Sequence, residues 1–323
     1  MLTYTPAAVI DSLETEQQIR LIKETFLSGL KSALSLHEVF APLFVKQSTG
    51  LNDDLNGTEQ PVSFRLRHSA ETYAIVHSLA KWKRQRIQQL SIPCGEGIVT
   101  RMLALRPDET LSPTHSVLVD QWDWEQRLHP DHRTLDYLKA TALRIYQALT
   151  TTAARLQELF GIETPALPPL TFIHTEDLQA LYPKATPKAR EYLATREYGA
   201  IFLIGIGAPL ADGEPHDGRA PDYDDWTTPT SSRHQGLNGD LLVWHEATGQ
   251  PLELSSMGIR VDAAALERQL QYSGTQHRSR LPYHQALLAG ELPQTIGGGI
   301  GQSRLAMFLL QKQHIAEVQS CAY

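Results

Sequence analysis

The 323-residue sequence predicts an α+β fold, a mainly antiparallel sheet flanked by helices. Three observations support this. Strand-like segments come in pairs, 97–105 with 115–124 and 240–244 with 251–255, the second pair turning at Thr248 and Gly249. Amphipathic helical stretches stand between the pairs instead of alternating with single strands. Hydrophobic residues make up 41% of the chain and charged residues 20%, enough apolar surface to offset chain entropy and to exclude a disordered or collagenous polymer.

The first helix is expected to open near Thr15, where Thr15 and Gln18 have capping-box spacing, and to bury Ile19, Ile22, Phe26 and Leu30. Residues 38–45 read as a strand interrupted by Pro42, which places it at an edge or an interface. In segment 115–124 and just beyond, Val117, Val119, Gln121, Asp123 and Glu125 share one face, while Leu118, Asp120, Trp122 and Trp124 share the other. Consecutive polar groups on one face of a strand predict a sheet that lines a wet cavity. A long amphipathic helix is expected over 133–160, stopped by Gly161, then a buried strand at 200–204 and a helix over 263–272. Between about 208 and 239 regular structure is absent, and a segment that long with clustered acids and aromatics reads as an ordered functional loop.

The net charge of −7 gives the surface no general attraction for phosphate backbones, so broad nucleic-acid binding is not expected. Cys94 and Cys321 are too few and too far apart for a disulfide framework or a zinc site, and Cys94 reads as a small buried residue. His77, His115 and His216 share no ligand spacing. No signal peptide and no membrane span are expected, and the chain reads as cytoplasmic.

Several local patterns bear on chemistry, each with a plainer reading beside it. Gly297–Gly301 before an apolar helix reads as a glycine-rich turn, either a packing turn or a ligand cradle, with Arg304 placed to meet a phosphate or a base. Arg106, Asp108 and Glu109 fit a solvated turn as well as a binding loop. Asp240 and Glu253 lie on the two arms of the later hairpin, where facing carboxylates repel unless a cation such as Mg²⁺ lies between them or one faces solvent. Lys81, Lys83, Arg84 and Arg86 read as a solvated helix face. The acids Asp212, Glu214, Asp217, Asp222, Asp224 and Asp225 around Arg219 leave a cation site, a lid and a solvated loop all open.

Longer strings go further. Residues 77–84 (His-Ser-Leu-Ala-Lys-Trp-Lys-Arg), 104–109 (Ala-Leu-Arg-Pro-Asp-Glu), 119–125 (Val-Asp-Gln-Trp-Asp-Trp-Glu), 219–226 (Arg-Ala-Pro-Asp-Tyr-Asp-Asp-Trp), 253–260 (Glu-Leu-Ser-Ser-Met-Gly-Ile-Arg) and 293–304 (Pro-Gln-Thr-Ile-Gly-Gly-Gly-Ile-Gly-Gln-Ser-Arg) closely resemble the ammonia-dependent asparagine synthetases. These are aspartate–ammonia ligases related to class II aminoacyl-tRNA synthetases. The resemblance implies a class II synthetase-like catalytic core forming one domain over residues 1–323. It also implies a homodimer formed through the first helix and the strand near Pro42.

The implied reaction converts L-aspartate, ATP and ammonia to L-asparagine, AMP and pyrophosphate through a β-aspartyl-adenylate, with Mg²⁺. The resemblance assigns Arg106 to the α-phosphate and Arg304 to the adenine and γ-phosphate, with Glu109, Ser116 and Asp240 also at ATP. Asp240 and Glu253 would carry the metal. Asp53, beside Asp54, would bind ammonium and take its proton, and Gln121 would orient the reacting carboxyl. Asp123 would hold the substrate's ammonium, Ser78 and Lys83 its carboxylates, and Ser256 would also contact it. The main rivals are a tRNA synthetase sharing the adenylation core and a silent regulatory paralogue. A glutamine-dependent synthetase is excluded because residue 2, where it needs a cysteine nucleophile, is Leu2.

Overall fold

A computed structural model describes residues 10–53 and 59–320. Its order along the chain is α1 (Leu13–Leu34), β1 (Leu36–Glu38), β2 (Phe44–Lys46), β3 (Ser63–Arg65), β4 (Thr72–Ile75), α2 (Ala80–Gln89), β5 (Gly97–Leu105), β6 (Leu118–Arg127) and α3 (Leu135–Phe160). Then follow β7 (Thr171–His174), α4 (Thr175–Leu181), α5 (Pro187–Tyr198), β8 (Ala200–Ile204), β9 (Asn238–His245), β10 (Gln250–Ile259), α6 (Ala263–Tyr272), α7 (Pro282–Leu288), β11 (Thr295–Gly301) and α8 (Gln302–Leu309).

Among the described residues, eight strands form one sheet in the order β1-β5-β6-β11-β10-β9-β8-β7, and β2-β4-β3 form a small second sheet. The pairs inside the large sheet are antiparallel; only its two edge pairs, β1 with β5 and β7 with β8, are parallel. The expected mainly antiparallel α+β fold is therefore present.

Helix α1 begins two residues before the expected cap. Ser12, not Thr15, is the N-cap, because its hydroxyl is positioned to accept from the Thr15 amide. The expected stripe of Ile19, Ile22, Phe26 and Leu30 is buried against the sheet, and Phe26 meets Trp122 with ring centroids 4.7 Å apart. Gly29 and Ala148 let α1 and α3 approach closely, since a side chain at Gly29 would already touch the Ala148 Cβ at 3.4 Å. Helix α3 ends at Gly161 in the left-handed conformation, as the sequence indicates.

Four expectations change. The run 38–45 is not one strand: β1 ends at Glu38 in the large sheet, β2 starts at Phe44 in the small one, and Pro42, without an N–H for a ladder, lies between them. Strand β6 starts at Leu118, three residues later than expected, because Ser112 and His115 close the preceding loop on each other. The glycine run is not a turn but β11, a central strand held by β6 and β10 on its two sides. Cys94 is exposed, not buried.

Close strand packing fixes one further glycine. A Cβ on Gly97 would lie 2.2 Å from the Glu125 carbonyl oxygen and 2.8 Å from the Gln126 Cα, both backbone atoms of β6. Gly97→Ala should therefore destabilise the fold by about 1–3 kcal/mol through forced strand displacement, seen as a lower urea midpoint. An unchanged midpoint would contradict this packing.

Candidate active site

One register relation creates the site. On β6, Gln121, Asp123 and Glu125 project from one face, and across the ladder they meet Gly301, Gly299 and Gly297 of β11. Gln121 and Glu125 occupy space that these glycines leave empty, Gln121 at the diagonal neighbour Gly299 and Glu125 at its direct partner Gly297. A Cβ on Gly299 would lie 2.4 Å from Gln121 Oε1, and one on Gly297 would lie 2.0 Å from Glu125 Oε2. The opposite face of β6 sends Trp122 and Trp124, both fully buried, into the core under α1 and α3. The predicted wet face is real, and glycine supplies the room for it.

Above this face is a cavity of about 320 Å³, a size that suits a small polar ligand or part of a larger one. Asp53, Ser78, Lys83, Arg106, Glu109 and Ser116 line it, as do Gln121, Asp123, Glu253, Ser256 and Arg304. Asp240 alone of the predicted residues is not in the lining. It lies just behind, bonded to Arg219 at 2.7 Å, and Arg219 does line the cavity. Asp54 falls outside the described residues.

Lys83 is fully buried on α2 and forms an ion pair with Asp123, while its ammonium also donates to the Gly298 carbonyl at 3.0 Å. Burial pushes the Lys83 pKa down, opposed by the nearby Asp123 and Glu125 carboxylates. Asp123 also accepts from the Leu79 amide at 3.2 Å. The basic cluster is thus not a solvated face: Lys81, Lys83 and Arg84 are all buried, and Arg84 donates to the carbonyls of Pro293 and Val261. The acids that neutralise the two lysines are distant in sequence, so the run reads as exposed when taken alone.

Asp53 is 2% exposed. Asn52 fixes it in place: its carboxamide oxygen accepts from the amides of Asp53 and His77 at 3.0 and 2.9 Å, and its nitrogen donates to the Ile75 carbonyl. His77 Nδ1 lies 3.2 Å from the Asp53 carbonyl. Nothing in the sequence pattern marks Asn52. Arg106 donates from Nη2 to the His77 carbonyl at 3.2 Å, while its buried Nε has no hydrogen-bond partner among the described residues. An orphaned guanidinium donor beside a cavity suits an anionic ligand that accepts from it. Arg304 is held by the Thr114 and Glu253 carbonyls at 3.3 and 3.1 Å.

The hairpin carboxylates do not face each other. Asp240 lies opposite Ser256 and Glu253 opposite Leu242, with a bulge between Glu253 and Ser255. They still interact: burial raises the Asp240 pKa to about 7, Glu253 adds to the rise, and Arg219 opposes it.

The irregular segment is an ordered wall whose buried acids Asp222, Asp224 and Asp225 are matched by distant bases. Asp222 meets Lys81 at 2.9 Å and His284 at 3.0 Å, Asp224 pairs with Arg260, and Asp225 pairs with Arg133. Between them Tyr223 lines the cavity, and burial, reinforced by Asp53, keeps its phenol protonated well above the usual range. Among the described residues, no group of three or more His, Cys, Asp and Glu is arranged to hold a metal ion. No helix among them is long and apolar enough to cross a membrane.

An antiparallel sheet with helices on its core face and a charged cavity on the other is the architecture of class II aminoacyl-tRNA synthetase catalytic cores. The asparaginyl-tRNA synthetase of Pyrococcus horikoshii complexed with asparaginyl-adenylate superposes with a TM-score of 0.70 at 18% identity, over 95% of this chain and 68% of that one. The Entamoeba histolytica asparaginyl-tRNA synthetase, also with asparaginyl-adenylate, gives 0.66 at 16% identity over 95% and 67%. A putative aspartyl-tRNA synthetase from Leishmania major Friedlin gives 0.66 at 13% over 96% and 65%. At these identities the likeness shows the fold.

Residues 13–323 match the family model described as aspartate–ammonia ligase, and the chain belongs to that family. Its reaction is the ATP-dependent amidation of L-aspartate to L-asparagine through an adenylate, releasing AMP and pyrophosphate.

The buried charges predict a pH signature. Burial alone would raise the Asp222 pKa, but Lys81 and His284 hold it well below the usual carboxylate range. Because the folded value is depressed, its stabilisation is full above the unfolded pKa of about 4 and disappears as pH falls below it. Asp222→Asn should cost about 3–5 kcal/mol at pH 7 by breaking the buried ion pair with Lys81, and the deficit should shrink below pH 4 in chemical denaturation. A deficit that did not depend on pH would contradict this ion pairing.

Proposed function

We propose that this cavity carries out both half-reactions of the ligase, with each end assigned to particular side chains. The observation that carries the assignment is the convergence on one cavity of a buried acid (Asp53), a cation–carboxylate pair (Lys83 and Asp123) and an arginine with an unsatisfied donor (Arg106).

Aspartate is a zwitterion with an extra carboxylate, so it needs both signs of charge. Asp123 takes its α-ammonium, while Lys83, Ser78 and Ser256 take its carboxylates, the resting pair opening to share the ligand's charges. Gln121 orients the β-carboxyl. In the first step a β-carboxylate oxygen attacks the α-phosphorus of ATP and pyrophosphate leaves. Arg106 stabilises the charge growing on the α-phosphoryl oxygens. Arg304 holds the other end of the nucleotide, with Glu109 and Ser116 beside it, and Asp240 supports that end through Arg219.

In the second step ammonia attacks the carbonyl carbon of the mixed anhydride and AMP leaves. Ammonia is largely protonated at neutral pH, so a carboxylate at the anhydride both concentrates ammonium and accepts its proton. Asp53 has the burial and placement for this.

Mg²⁺ fits one place. Asp240 and Glu253 are mutually repelling carboxylates with Arg219 as the main compensating cation, and Mg²⁺ needs only one or two protein carboxylates besides phosphate oxygens. Bound there, it would neutralise phosphate charge. We further infer one catalytic unit over the chain, a cytoplasmic homodimer using α1 and the segment around Pro42, and no nucleic-acid partner, the last supported by the net charge of −7.

The two half-reactions separate by mutation. Asp53→Ala should retain aspartate-dependent pyrophosphate exchange while asparagine formation falls by two orders of magnitude or more, about the scale of a lost general base. Arg106→Ala should lose both. Full ligation by Asp53→Ala would remove the ammonia-site assignment, and normal exchange by Arg106→Ala would remove the α-phosphate role.

A further inference from the structure

Helix α8 is followed by a segment, residues 310–320, that no part of the mechanism above employs. It returns across the nucleotide end of the cavity. A short 3₁₀ turn at Ile315–Glu317 is held by a reciprocal capping box: the His314 side chain accepts from the Ala316 amide at 3.1 Å, and Glu317 accepts from the His314 amide at 2.8 Å. This holds the segment in one conformation. The Ile315 amide donates to the Pro113 carbonyl at 2.7 Å, in the loop between β5 and β6. Gln319, 7% exposed, donates from Nε2 to the Leu118 carbonyl at 2.9 Å and reaches Ser303 Oγ at 3.4 Å. Val318, 2% exposed, anchors the same turn in the core.

The elements joined here carry the two nucleotide arginines. Leu118 and Pro113 belong to the hairpin whose loop begins with Arg106, and Ser303 immediately precedes Arg304. Asp120 makes a second tie between the same parts, accepting from the Ser303 amide at 3.0 Å while Lys23 of α1 donates to its other oxygen at 2.9 Å. Ile315 and Gln319 themselves line the cavity, so the segment is both a brace and a wall.

We infer that Gln319 is a positioning residue for the nucleotide, setting the separation of the Arg106 hairpin from Arg304, and that Ile315 and Gln319 form the wall beside the ATP base. This rests on the assignment of Arg106 and Arg304 to ATP. The hydrogen bonds that tie Ile315 and Gln319 to Pro113, Leu118 and Ser303 lie on the parts that carry Arg106 and Arg304 and not on Lys83 or Asp123, so the effect is expected on one substrate.

The test is steady-state ligation by Gln319→Ala and by Gln319→Glu, which keeps the volume but removes the donor, with Val318→Ala as a core control and thermal denaturation on each. Both Gln319 variants should raise KM for ATP about five- to tenfold, the scale of one lost hydrogen bond, with KM for aspartate unchanged. Their preference for ATP over GTP should narrow, and Val318→Ala should lower the melting temperature without that split. Unchanged KM for ATP in a folded Gln319→Glu, or equal rises for both substrates, would overturn the inference. Failure of the parent protein to turn over ATP with aspartate would instead overturn the reading beneath it.

Discussion

Glu125 on β6 and Asp224 on the irregular wall are two buried carboxylates from segments about a hundred residues apart, and one guanidinium holds both. Arg260, at the end of β10, donates from Nε to both Glu125 oxygens at 3.1 Å and from Nη2 to one at 2.8 Å, and its Nη1 pairs with Asp224. Its guanidinium stands 5.8 Å from the Tyr223 ring centre, and its own carbonyl accepts from Arg133 at 2.6 Å. Burial by itself would raise the Glu125 pKa, yet Arg260, helped by Lys83 and Thr295, brings it below the usual carboxylate value. Removing the arginine would take its ion-pair partner from Asp224 and leave Glu125 to the more distant Lys83, 4.0 Å away, a costly loss for buried carboxylates. The floor and the wall of the cavity are thus one electrostatic unit.

That unit limits what the cavity can bind. With Glu125 and Asp224 satisfied by Arg260, and Asp222 by Lys81 and His284, these acids are committed to the framework. Asp53, Lys83 with Asp123, Arg106 and Arg304 are among the other charged groups that line the cavity. Rigidity comes from β6 itself, whose other face is locked into the core by Trp122 and Trp124. A strand that is core on one side and site on the other holds Gln121 and Asp123 with the precision of the core.

Much of this is legible in the sequence. The alternation over residues 117–125 identifies the wet face by itself, because a period of two is a local property of the chain. Long helices and the 200–204 strand follow for the same reason. The misses share a cause. Gly297–Gly301 reads as a turn because glycine is the commonest turn signal, and its true role appears only beside the polar side chains of β6 across the ladder. Lys81, Lys83 and Arg84 read as solvated because the partners of the lysines lie up to 141 positions away. The bulge that offsets Asp240 from Glu253 and the carboxamide of Asn52 that seats Asp53 are set by tertiary contacts with no sequence pattern. The longer strings resembling the ligase family point to the family, which local physics leaves open and the match over residues 13–323 bears out.

Coupling of the two half-reactions in one cavity is the central claim, and the stoichiometry of a single reaction tests it most directly. The purified protein would be incubated with ATP, Mg²⁺ and L-aspartate, with and without ammonium and with glutamine as the control nitrogen source, and AMP and asparagine would be counted. Coupled half-reactions give equal amounts of the two products, formed only when ammonium is present. Aspartate-driven pyrophosphate exchange with no asparagine from ammonium would contradict it, leaving an adenylating site whose acceptor is another molecule.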